Sequence, residues 1–432
     1  MEEITELNND SSLSRADENP WYVLATIYGE EPVFEVENKN RNAWNAWALS
    51  GLNEVQKASV AKKNRNFMHE TPSWNNIRLE IKVLFSQRIP NRSLPRPHEK
   101  IDFIDTFFEE SVEFSGFIFP AEVCFSGSRI RNIHFHDVFF FEKVIFEHAR
   151  VQGNFWVDNT YFYDEACFRE TEFCNLVTFS KVLFLHDASF IRSHFLHNVL
   201  FKAVSFDGSS YFGFSEFHRR NSFTNCYFNK PSNFRYAEFL YQYPHMEGSI
   251  FHEKTTISAE AEFWPEPDSS KQELEDAKVS CALLRHLMNT QGLPEQAHFF
   301  FRREMHFASK IGSIWERFPY LLFGWLSNYG HSLKRPLHAL TWLWALPAVF
   351  FWLKDCTDKC ANTIGAEIWI SLLKAAGLSI ANILKFTGIQ RAYYEIKDFD
   401  ALVPLVSDAQ TLLAIPLLFL LLLGLRNRFR LK

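Results

Sequence analysis

Phenylalanine recurs through the middle of this 432-residue chain at alternating intervals of five and six residues. A β-strand repeats at every second residue and an α-helix at about every 3.6, so neither element alone explains the spacing. Two successive intervals, five plus six, give an 11-residue repeat. A repeat of this kind indicates a solenoid of short coils, each contacting only its neighbours. The regular series consists of Phe162, Phe168, Phe173, Phe179, Phe184, Phe190, Phe195, Phe201, Phe206, Phe212, Phe217, Phe223, Phe228, Phe234 and Phe239.

A second regularity accompanies the phenylalanines. The residue two positions earlier is mostly small, as at Ala166, Ser193 and Cys226. Large and small side chains that share one interior favour a nearly square coil, with phenylalanine at the centre and about 22 residues per turn. With coils about 4.8 Å apart, the stretch from Phe114 to Phe251 predicts roughly six coils.

Towards the N-terminus the spacing loosens but continues. Here we place the interior positions at Phe114, Phe119, Phe125, Ile130, Phe135, Phe141, Phe146, Val151 and Val157.

Over residues 103–253 this pattern resembles the pentapeptide-repeat family, in the variant that alternates five- and six-residue steps. The resemblance implies a mainly β fold, a right-handed quadrilateral β-helix, which we assign to residues 101–255. The motifs NRNAWNAW, FFFRREM and LFLLLLGLRNRFRLK extend the likeness to a bacterial, membrane-anchored group of such proteins with a C-terminal transmembrane region. No activity follows from the resemblance.

The residues before the solenoid divide into two parts. Residues 1–20 are acidic and polar, without the apolar core of a signal peptide, and we expect a disordered lead-in. Residues 21–100 are expected to form an N-terminal cap-like segment over the open end of the solenoid. Within it, the apolar stretch 21–29 favours a strand, and Trp44 and Trp47 are spaced for the buried face of a helix. A ligand-binding role for the two tryptophans stays open beside the capping role.

The residues after the solenoid predict helices. In residues 268–312, two apolar stripes at helical spacing are separated by Gly292 and Pro294, which indicates a helical hairpin connector. Residues 313–432 predict a membrane region, because two long apolar runs near 336–353 and 409–425 suit transmembrane helices.

Basic residues flank the outer ends of both runs, at Lys334 and Arg335 before the first and at Arg426 and Arg428 after the second. Positive charge on these ends predicts a multi-pass protein of the inner membrane with both termini cytoplasmic. The aromatic segment 315–330 is expected to lie at the membrane interface.

The segment between the two apolar runs is amphipathic over residues 366–386. It suits a helix on the outer membrane surface, a helix packed on a partner, or a pore helix. Cys356 and Cys360 lie just before it, in a loop expected on the outer side, where their spacing permits a local disulfide.

The chain carries no recognisable catalytic, cofactor-binding or metal-binding motif. Five histidines flank interior positions of the solenoid and are expected to face solvent: His134, His136, His186, His194 and His197. Four acids cluster at the entrance of the solenoid, where charge suits the protection of an open sheet edge: Asp102, Asp105, Glu109 and Glu110.

The charge balance argues against nucleic acid as a partner, since the net charge is −6 and no basic field is concentrated in the chain. Mimicry of DNA is also disfavoured, because residues 114–250 hold 14 acids and 12 Lys or Arg. We therefore expect a non-enzymatic, membrane-anchored protein that presents a rigid cytoplasmic solenoid to an unidentified protein partner. The alternative is an oligomeric channel gated by the solenoid, in which case the chain would form a homo-oligomer.

Overall fold

A computed structural model describes residues 13–63, 71–266, 270–359, 366–389 and 402–429. The chain divides into two compact units, Met1–Phe301 and Arg302–Lys432. The first holds a β-solenoid with helices at both ends, and the described elements of the second are all helices.

The solenoid is built from four parallel sheets, one on each side of the coil, as the sequence predicts. Sheet A consists of Ser14–Arg15 (β1), Thr106–Phe108 (β3), Arg129–Ile130 (β7), Arg150–Val151 (β11), Glu172–Phe173 (β15), His194–Phe195 (β19), Glu216–Phe217 (β23) and Glu238–Phe239 (β27). Sheet B consists of Ile101–Asp102 (β2), Val123–Cys124 (β6), Val144–Ile145 (β10), Ala166–Cys167 (β14), Ala188–Ser189 (β18), Ser210–Tyr211 (β22), Ser232–Phe234 (β26) and Thr256–Ile257 (β28).

The other two sheets have six strands each. Sheet C consists of Val112–Glu113 (β4), Ile133–His136 (β8), Phe155–Asp158 (β12), Val177–Ser180 (β16), Val199–Lys202 (β20) and Asn221–Thr224 (β24). Sheet D consists of Ile118–Phe119 (β5), Phe139–Phe140 (β9), Tyr161–Phe162 (β13), Leu183–Phe184 (β17), Ser205–Phe206 (β21) and Tyr227–Phe228 (β25). The coils number about seven, one more than the roughly six expected over the shorter stretch from Phe114 to Phe251.

Neighbouring strands of each sheet come from successive coils. Phe179 pairs with Phe201, which sets the usual coil length, but Phe119 pairs with Phe140, so this early coil is shorter by a single position. The prediction of Phe141 as an interior position is therefore wrong by one residue. Phe140 faces the interior, and Phe141 lies on the opposite side of the chain, where it stacks on Tyr163. The triple Phe139–Phe141 hides this shift in the sequence, because all three positions are phenylalanine.

The small residues two positions before the regular phenylalanines are all buried, as predicted. Most of these residues that carry a hydroxyl donate to a carbonyl of the coil before, as Ser193 Oγ does to Phe168 and Ser215 Oγ to Phe190, both at 2.6 Å. Ser210 Oγ donates instead to Ser232 Oγ at 2.8 Å. Cys226 Sγ lies 3.4 Å from the Phe201 carbonyl, and burial raises the pKa of this thiol to about 11. The interior therefore accommodates polar atoms because its geometry supplies partners for them.

A left-handed residue recurs at nearly every eleventh position, two residues after an interior residue. Glycine takes this conformation at Gly116, Gly127 and Gly248, but elsewhere in the solenoid the residue carries a side chain. Ala203 and Phe214, for example, have φ of 54° and 58°. This corner is unfavourable for L-residues and recurs because the rest of the coil imposes it.

Within the described residues before the solenoid, the structure has the α-helices Pro20–Ala25 (α1), Phe34–Leu49 (α2), Glu54–Lys63 (α3) and Trp74–Arg88 (α4). Residues 21–29, expected to favour a strand, begin instead as a helix, because Asn19 Oδ1 accepts the Trp21 amide at 2.9 Å and Pro20 opens the first turn. The lead-in expected over 1–20 lies partly outside the described residues, and its described part begins at residue 13 and includes β1, which pairs with β3.

Helix α2 places the two tryptophans against the first coil. Trp44 Nε1 donates to the Ile118 carbonyl at 2.6 Å, and its ring packs 5.4 Å from that of Phe119. Asn45 bonds to the backbone before and after Phe117, since its side chain donates to the Gly116 carbonyl at 2.8 Å and accepts the Ile118 amide at 3.0 Å. Both Trp44 and Trp47 are buried, so their role in this fold is packing of the cap.

The helices Lys271–Thr290 (α5) and Pro294–Ala308 (α6) follow the solenoid in the chain, at the place predicted for the hairpin, and α5 with the first part of α6 belongs to the first unit. Ser280 Oγ donates to the Pro244 carbonyl at 2.5 Å, and the ring of Trp264 stacks on Phe239 at 4.9 Å. The last interior ring of sheet A is thereby covered rather than left open to solvent.

The second unit contains Ile314–Ser327 (α7), Lys334–Lys359 (α8), Ala366–Ile383 (α9) and Leu402–Phe429 (α10). Two of its helices, Lys334–Asp355 within α8 and all of α10, are long and apolar enough to cross a membrane, and they contain the two predicted spans. Helix α9 packs against both, with Ala375 and Leu378 buried beside Phe351 of α8 and Val403 of α10. The disulfide considered for Cys356 and Cys360 lies outside the described side chains.

Candidate functional site

Charged side chains on the outside of the solenoid pair across coils. Lys100 Nζ lies 3.1 Å from Glu122, and Lys143 Nζ lies 2.9 Å from Glu165, each pair being about one coil apart. Exposed pairs of this kind contribute about 0–1 kcal/mol each to stability. They neutralise the surface locally, which agrees with the near balance of acids and bases in the sequence.

The acids at the entrance take local partners. Asp102 Oδ1 accepts the Ile104 amide at 3.0 Å, and Glu109 lies 3.9 Å from Arg15. Glu109 and Glu110 also line a cavity of about 140 Å³ together with Tyr22, whose pKa is raised by burial. The predicted acids therefore do not share one contact: Asp102 bonds within its own turn, whereas Glu109 contacts Arg15.

Two of the five predicted solvent-facing histidines contact acids on sheet C. His134 Nδ1 lies 2.9 Å from Glu113 of the preceding coil, and this hydrogen bond raises the pKa of His134 against the opposing effect of partial burial. The ring of His136 lies between two carboxylates, with Nδ1 3.0 Å from Asp158 and Nε2 3.3 Å from Asp137.

A third histidine belongs to a group that sequence reasoning missed. His194 Nδ1 and His218 Nε2 both face Glu216 Oε2, at 3.2 and 3.0 Å. We call these three residues the His–Glu cluster. His194 and Glu216 are direct neighbours on β19 and β23, and His218 follows β23 on the same outward side. The interval of one full coil between His194 and Glu216 is the signal that could have identified the pair, once coil length was known.

Beside this cluster lie three aromatic rings and one arginine, which we call the aromatic corner: Phe214 and Tyr236, both exposed, the partly buried Phe263, and Arg192. The rings of Phe214 and Tyr236 stack at 4.8 Å, that of Phe263 meets Tyr236 edge-on at 5.8 Å, and the Arg192 guanidinium lies 5.6 Å from the Phe214 centroid. Phe214 and Tyr236 occupy left-handed corner positions, which turn their side chains outward. The only sequence sign that Phe214 is an outer residue is that it falls between two interior phenylalanines of the repeat.

The aromatic corner and the His–Glu cluster meet in one surface cavity of about 380 Å³. Its walls include the four aromatic-corner residues together with His194, Glu216 and Glu238. A concave site with exposed rings and several charged groups has the composition of a recognition surface, because aromatic residues and arginine contribute most to protein interfaces.

The second unit holds a polar cluster among its apolar helices, formed by Ser379, Asn382, Gln410 and Thr411. Gln410 Nε2 lies 2.7 Å from Ser379 Oγ and 3.0 Å from its carbonyl, and Asn382 Nδ2 donates to Gln410 Oε1 at 3.1 Å. Thr411 Oγ1 donates to the Asn382 carbonyl at 3.1 Å. These contacts join α9 to α10, and a bond from Ser379 Oγ to the Trp344 carbonyl at 2.7 Å joins α9 to α8.

The polar residues of the amphipathic segment therefore have different surroundings. Asn382 is buried in the polar cluster, while Lys385 lies 3.1 Å from Asp408 at an exposed position and Ser371 donates to Asp355 at 2.7 Å. Hydrogen bonds between helices at the polar cluster serve to hold the helices together.

No protein-family model, curated protein or solved structure matches this chain.

Proposed function

We propose that this chain is a non-enzymatic scaffold of the pentapeptide-repeat type, anchored in a membrane and recognising a protein partner through the aromatic corner. The observation that carries the proposal is the exposure of the two long apolar helices. In the described structure, only 22% of the most apolar 18-residue stretch of Lys334–Asp355 is buried, and 28% of that of Leu402–Phe429. The core helix of a soluble protein, in contrast, buries most of its surface. Lipid is the environment that suits the remaining apolar surface.

Helix α7 supports membrane association independently of the two long helices. Its apolar side chains at Trp315, Phe318 and Trp325 are exposed, and they recur at intervals that bring them to one side of the helix. A helix with such a face, rich in tryptophan, suits the boundary between headgroups and acyl chains.

The proposed orientation places both termini in the cytoplasm, at the inner membrane of a bacterium. It is supported by Lys334 and Arg335 at the start of α8 and by Arg426 and Arg428 at the end of α10. Basic residues near the ends of spans stay on the cytoplasmic side. The solenoid, which precedes α8 in the chain, then faces the cytoplasm.

The aromatic corner supports the choice of a protein partner. Phe214 and Tyr236 are each about half exposed although they are large and apolar, and Arg192 lies against them. Arginine and aromatic side chains in a shallow depression are the residues from which interface hot spots are built.

The proposal is tested with a photo-reactive amino acid in place of Tyr236, and separately in place of Trp156, an exposed tryptophan of sheet C that serves as the matched control. Irradiation of native membranes should give one discrete protein adduct from position 236 and none from 156. The adduct should disappear when Arg192→Ala and Phe214→Ala are combined. Equal adducts from both positions, or recovery of the chain in the supernatant without detergent, would contradict the proposal.

The alternative function, an oligomeric channel gated by the solenoid, draws support from Pro347 in α8 and Pro416 in α10, because proline can kink a spanning helix. Against it stands the polar cluster, whose side chains bond to each other across the helices. Ion flux in liposomes distinguishes the two functions. Ion flux that depends on residues 366–386 favours the channel. A chain that conducts no ions but still forms the adduct at position 236 favours the scaffold.

A further inference from the structure

The His–Glu cluster combines three donors of the kind that divalent transition metals prefer. Glu216 Oε2 lies 3.2 Å from His194 Nδ1 and 3.0 Å from His218 Nε2, and the three donor atoms all lie within 4.8 Å of one another. Zinc bonds of about 2.0–2.1 Å in a tetrahedron place neighbouring ligand atoms about 3.3 Å apart. The two distances to Glu216 Oε2, 3.2 and 3.0 Å, are close to that value.

The three side chains are carried by the most regular part of the fold. His194 and Glu216 pair in register on β19 and β23, and the His218 amide donates to the Phe195 carbonyl at 3.0 Å. Strands of adjacent coils fix the separation of the side chains before any ligand binds. A site on such a scaffold needs little rearrangement to bind a metal, which lowers the cost of binding.

The charge around the cluster also suits a cation. Glu238 follows Glu216 in the outward column of sheet A, whereas Glu172, which precedes His194 there, is already paired with Arg150 at 3.7 Å. The nearest arginine of the cavity, Arg192, is engaged elsewhere, since its guanidinium lies 3.6 Å from Glu170 and against the ring of Phe214. The Glu238 carboxylate beside Glu216 adds negative charge at the cluster, which favours a bound cation.

We propose that His194, Glu216 and His218 bind a divalent transition metal, zinc by preference. Two imidazoles and one carboxylate form a ligand set that zinc uses in proteins, whereas Mg²⁺ and Ca²⁺ prefer oxygen ligands alone. All three side chains are partly exposed, so the bound metal keeps a position open to solvent beside the aromatic corner. The inference does not depend on the scaffold function or on the membrane.

A second group of histidine and acids on the same solenoid provides a matched control. The His136 ring contacts Asp137 with one nitrogen and Asp158 with the other, so its two acids lie on opposite sides of a single imidazole. One metal ion cannot bind both of its nitrogens. His136→Asn removes a partly exposed histidine next to acids and leaves the His–Glu cluster unchanged.

The experiment uses the full chain in detergent, purified with a histidine-free tag and stripped with a chelator. Zn²⁺ is titrated by calorimetry, and Co²⁺ serves as a visible-absorption probe of coordination geometry. We expect one equivalent of Zn²⁺ to bind and Co²⁺ to give the intense absorption of a four-coordinate site, with no binding of Mg²⁺ or Ca²⁺. Glu216→Gln and His218→Asn should each weaken Zn²⁺ binding at least about 10-fold, the smallest effect seen even for groups that only support a metal ligand. His136→Asn should leave it unchanged.

The proposal is overturned if Zn²⁺ does not bind at micromolar concentration, if either cluster variant binds it like the wild type, or if His136→Asn weakens it as much as they do. Circular dichroism of each variant checks that the solenoid is intact. If one cluster variant does not fold, the other decides the question, because their side chains are partly exposed and belong to different positions of the coil.

Discussion

The rings of Phe179 and Phe201, one coil apart in the chain, lie with their planes 1° apart and their centroids 4.9 Å apart. Phe223 continues the same column on the next coil, 4.9 Å from Phe201 and 3° from parallel. The interior is thus a set of ring columns that run along the solenoid axis. Each ring supports one neighbour on either side, so stability is shared between adjacent coils rather than concentrated in a single centre.

Phe201→Ala should destabilise the solenoid by about 3–5 kcal/mol, because it leaves a cavity between Phe179 and Phe223 that backbone pairing on sheet C prevents from closing. Chemical unfolding monitored by circular dichroism measures the change. Phe214→Ala is the matched control, since the same residue type is about half exposed there and should cost far less. Similar losses for both variants would contradict the assignment of Phe201 to the interior column.

Ala203→Gly should leave the solenoid unchanged or stabilise it by up to about 1.5 kcal/mol. Ala203 is exposed and has φ of 54°, a conformation that costs an L-residue about 1–2 kcal/mol, and glycine removes this cost. Glycine also destabilises the fold by about 0.5–1 kcal/mol, because it makes the unfolded chain more flexible. Lys202→Gly, at the neighbouring exposed position within β20, has no such strain to relieve and should destabilise. Thermal unfolding of both variants checks the sign, and a clear loss in Ala203→Gly would argue against a strained corner.

The interior of the solenoid could be predicted from the sequence because a single residue type marks it. Once the five- and six-residue steps are recognised, they fix the four sides, the coil length and the small neighbours such as Ser193. The long apolar helices could be predicted for a similar reason, since a run like 409–425 is apolar on every side. The prediction was wrong where the phenylalanine spacing allowed more than one register. At Phe139–Phe141, three consecutive phenylalanines fit the repeat, and only strand pairing reveals the shorter coil.

The candidate sites were less accessible to sequence reasoning. The left-handed corner holds residues as different as Ala203 and Phe214, so composition gives no sign of it. His194 was expected to face solvent without a ligand set. Its contact with Glu216 can be predicted only when the exact coil length is known. The contact of His218 with Glu216 also requires knowing that side chains two residues apart at this strand point to the same side. Burial of Asn382 beside Gln410 required the packing of three helices, which an amphipathic pattern alone does not specify.

Glu113→Gln should lower stability at acidic pH and have little effect at alkaline pH. The Glu113 carboxylate raises the pKa of His134 above its ordinary value of 6.5, so the folded chain binds this proton more tightly than the unfolded chain. The resulting stabilisation is fully present below about pH 6.5, and it is lost as the pH rises through the raised pKa. Thermal unfolding at several pH values between about 5.5 and 8 measures it, and NMR should show the pKa of His134 lowered in the variant.

Glu122→Gln is the control for this pH dependence. Glu122 and Glu113 have equally exposed side chains at 39%, but Glu122 pairs with Lys100, which stays charged throughout that pH range. Any loss in Glu122→Gln should therefore be independent of pH. A Glu113→Gln difference that is constant from acid to alkaline pH would show that the His134 contact is not the cause.

Trp44→Phe should destabilise the cap and the first coil by about 1 kcal/mol or more. The variant keeps an aromatic ring against Phe119 but loses the hydrogen bond from Nε1 to the Ile118 carbonyl, which is buried. Hydrogen exchange at amides of sheet D near Phe119 should accelerate, whereas amides near Phe206 should be unchanged, since coils interact with nearest neighbours. Trp156→Phe removes an indole from an exposed position and should leave both regions unaffected.

Gln410→Leu should weaken the association of α8, α9 and α10 by about 1–2 kcal/mol, although it makes α10 more apolar. The change leaves Asn382 and Ser379 without the side chain that joins them, and hydrogen bonds between helices in membranes contribute up to about 1.7 kcal/mol each. Resistance to unfolding in mixed micelles of mild detergent and dodecyl sulfate measures the loss. Leu412→Ala, on the exposed side of α10, is the control and should cost less. If Gln410→Leu were instead as stable as the wild type, the polar cluster would not be holding these helices together. Its buried amides would then support the alternative function, a channel.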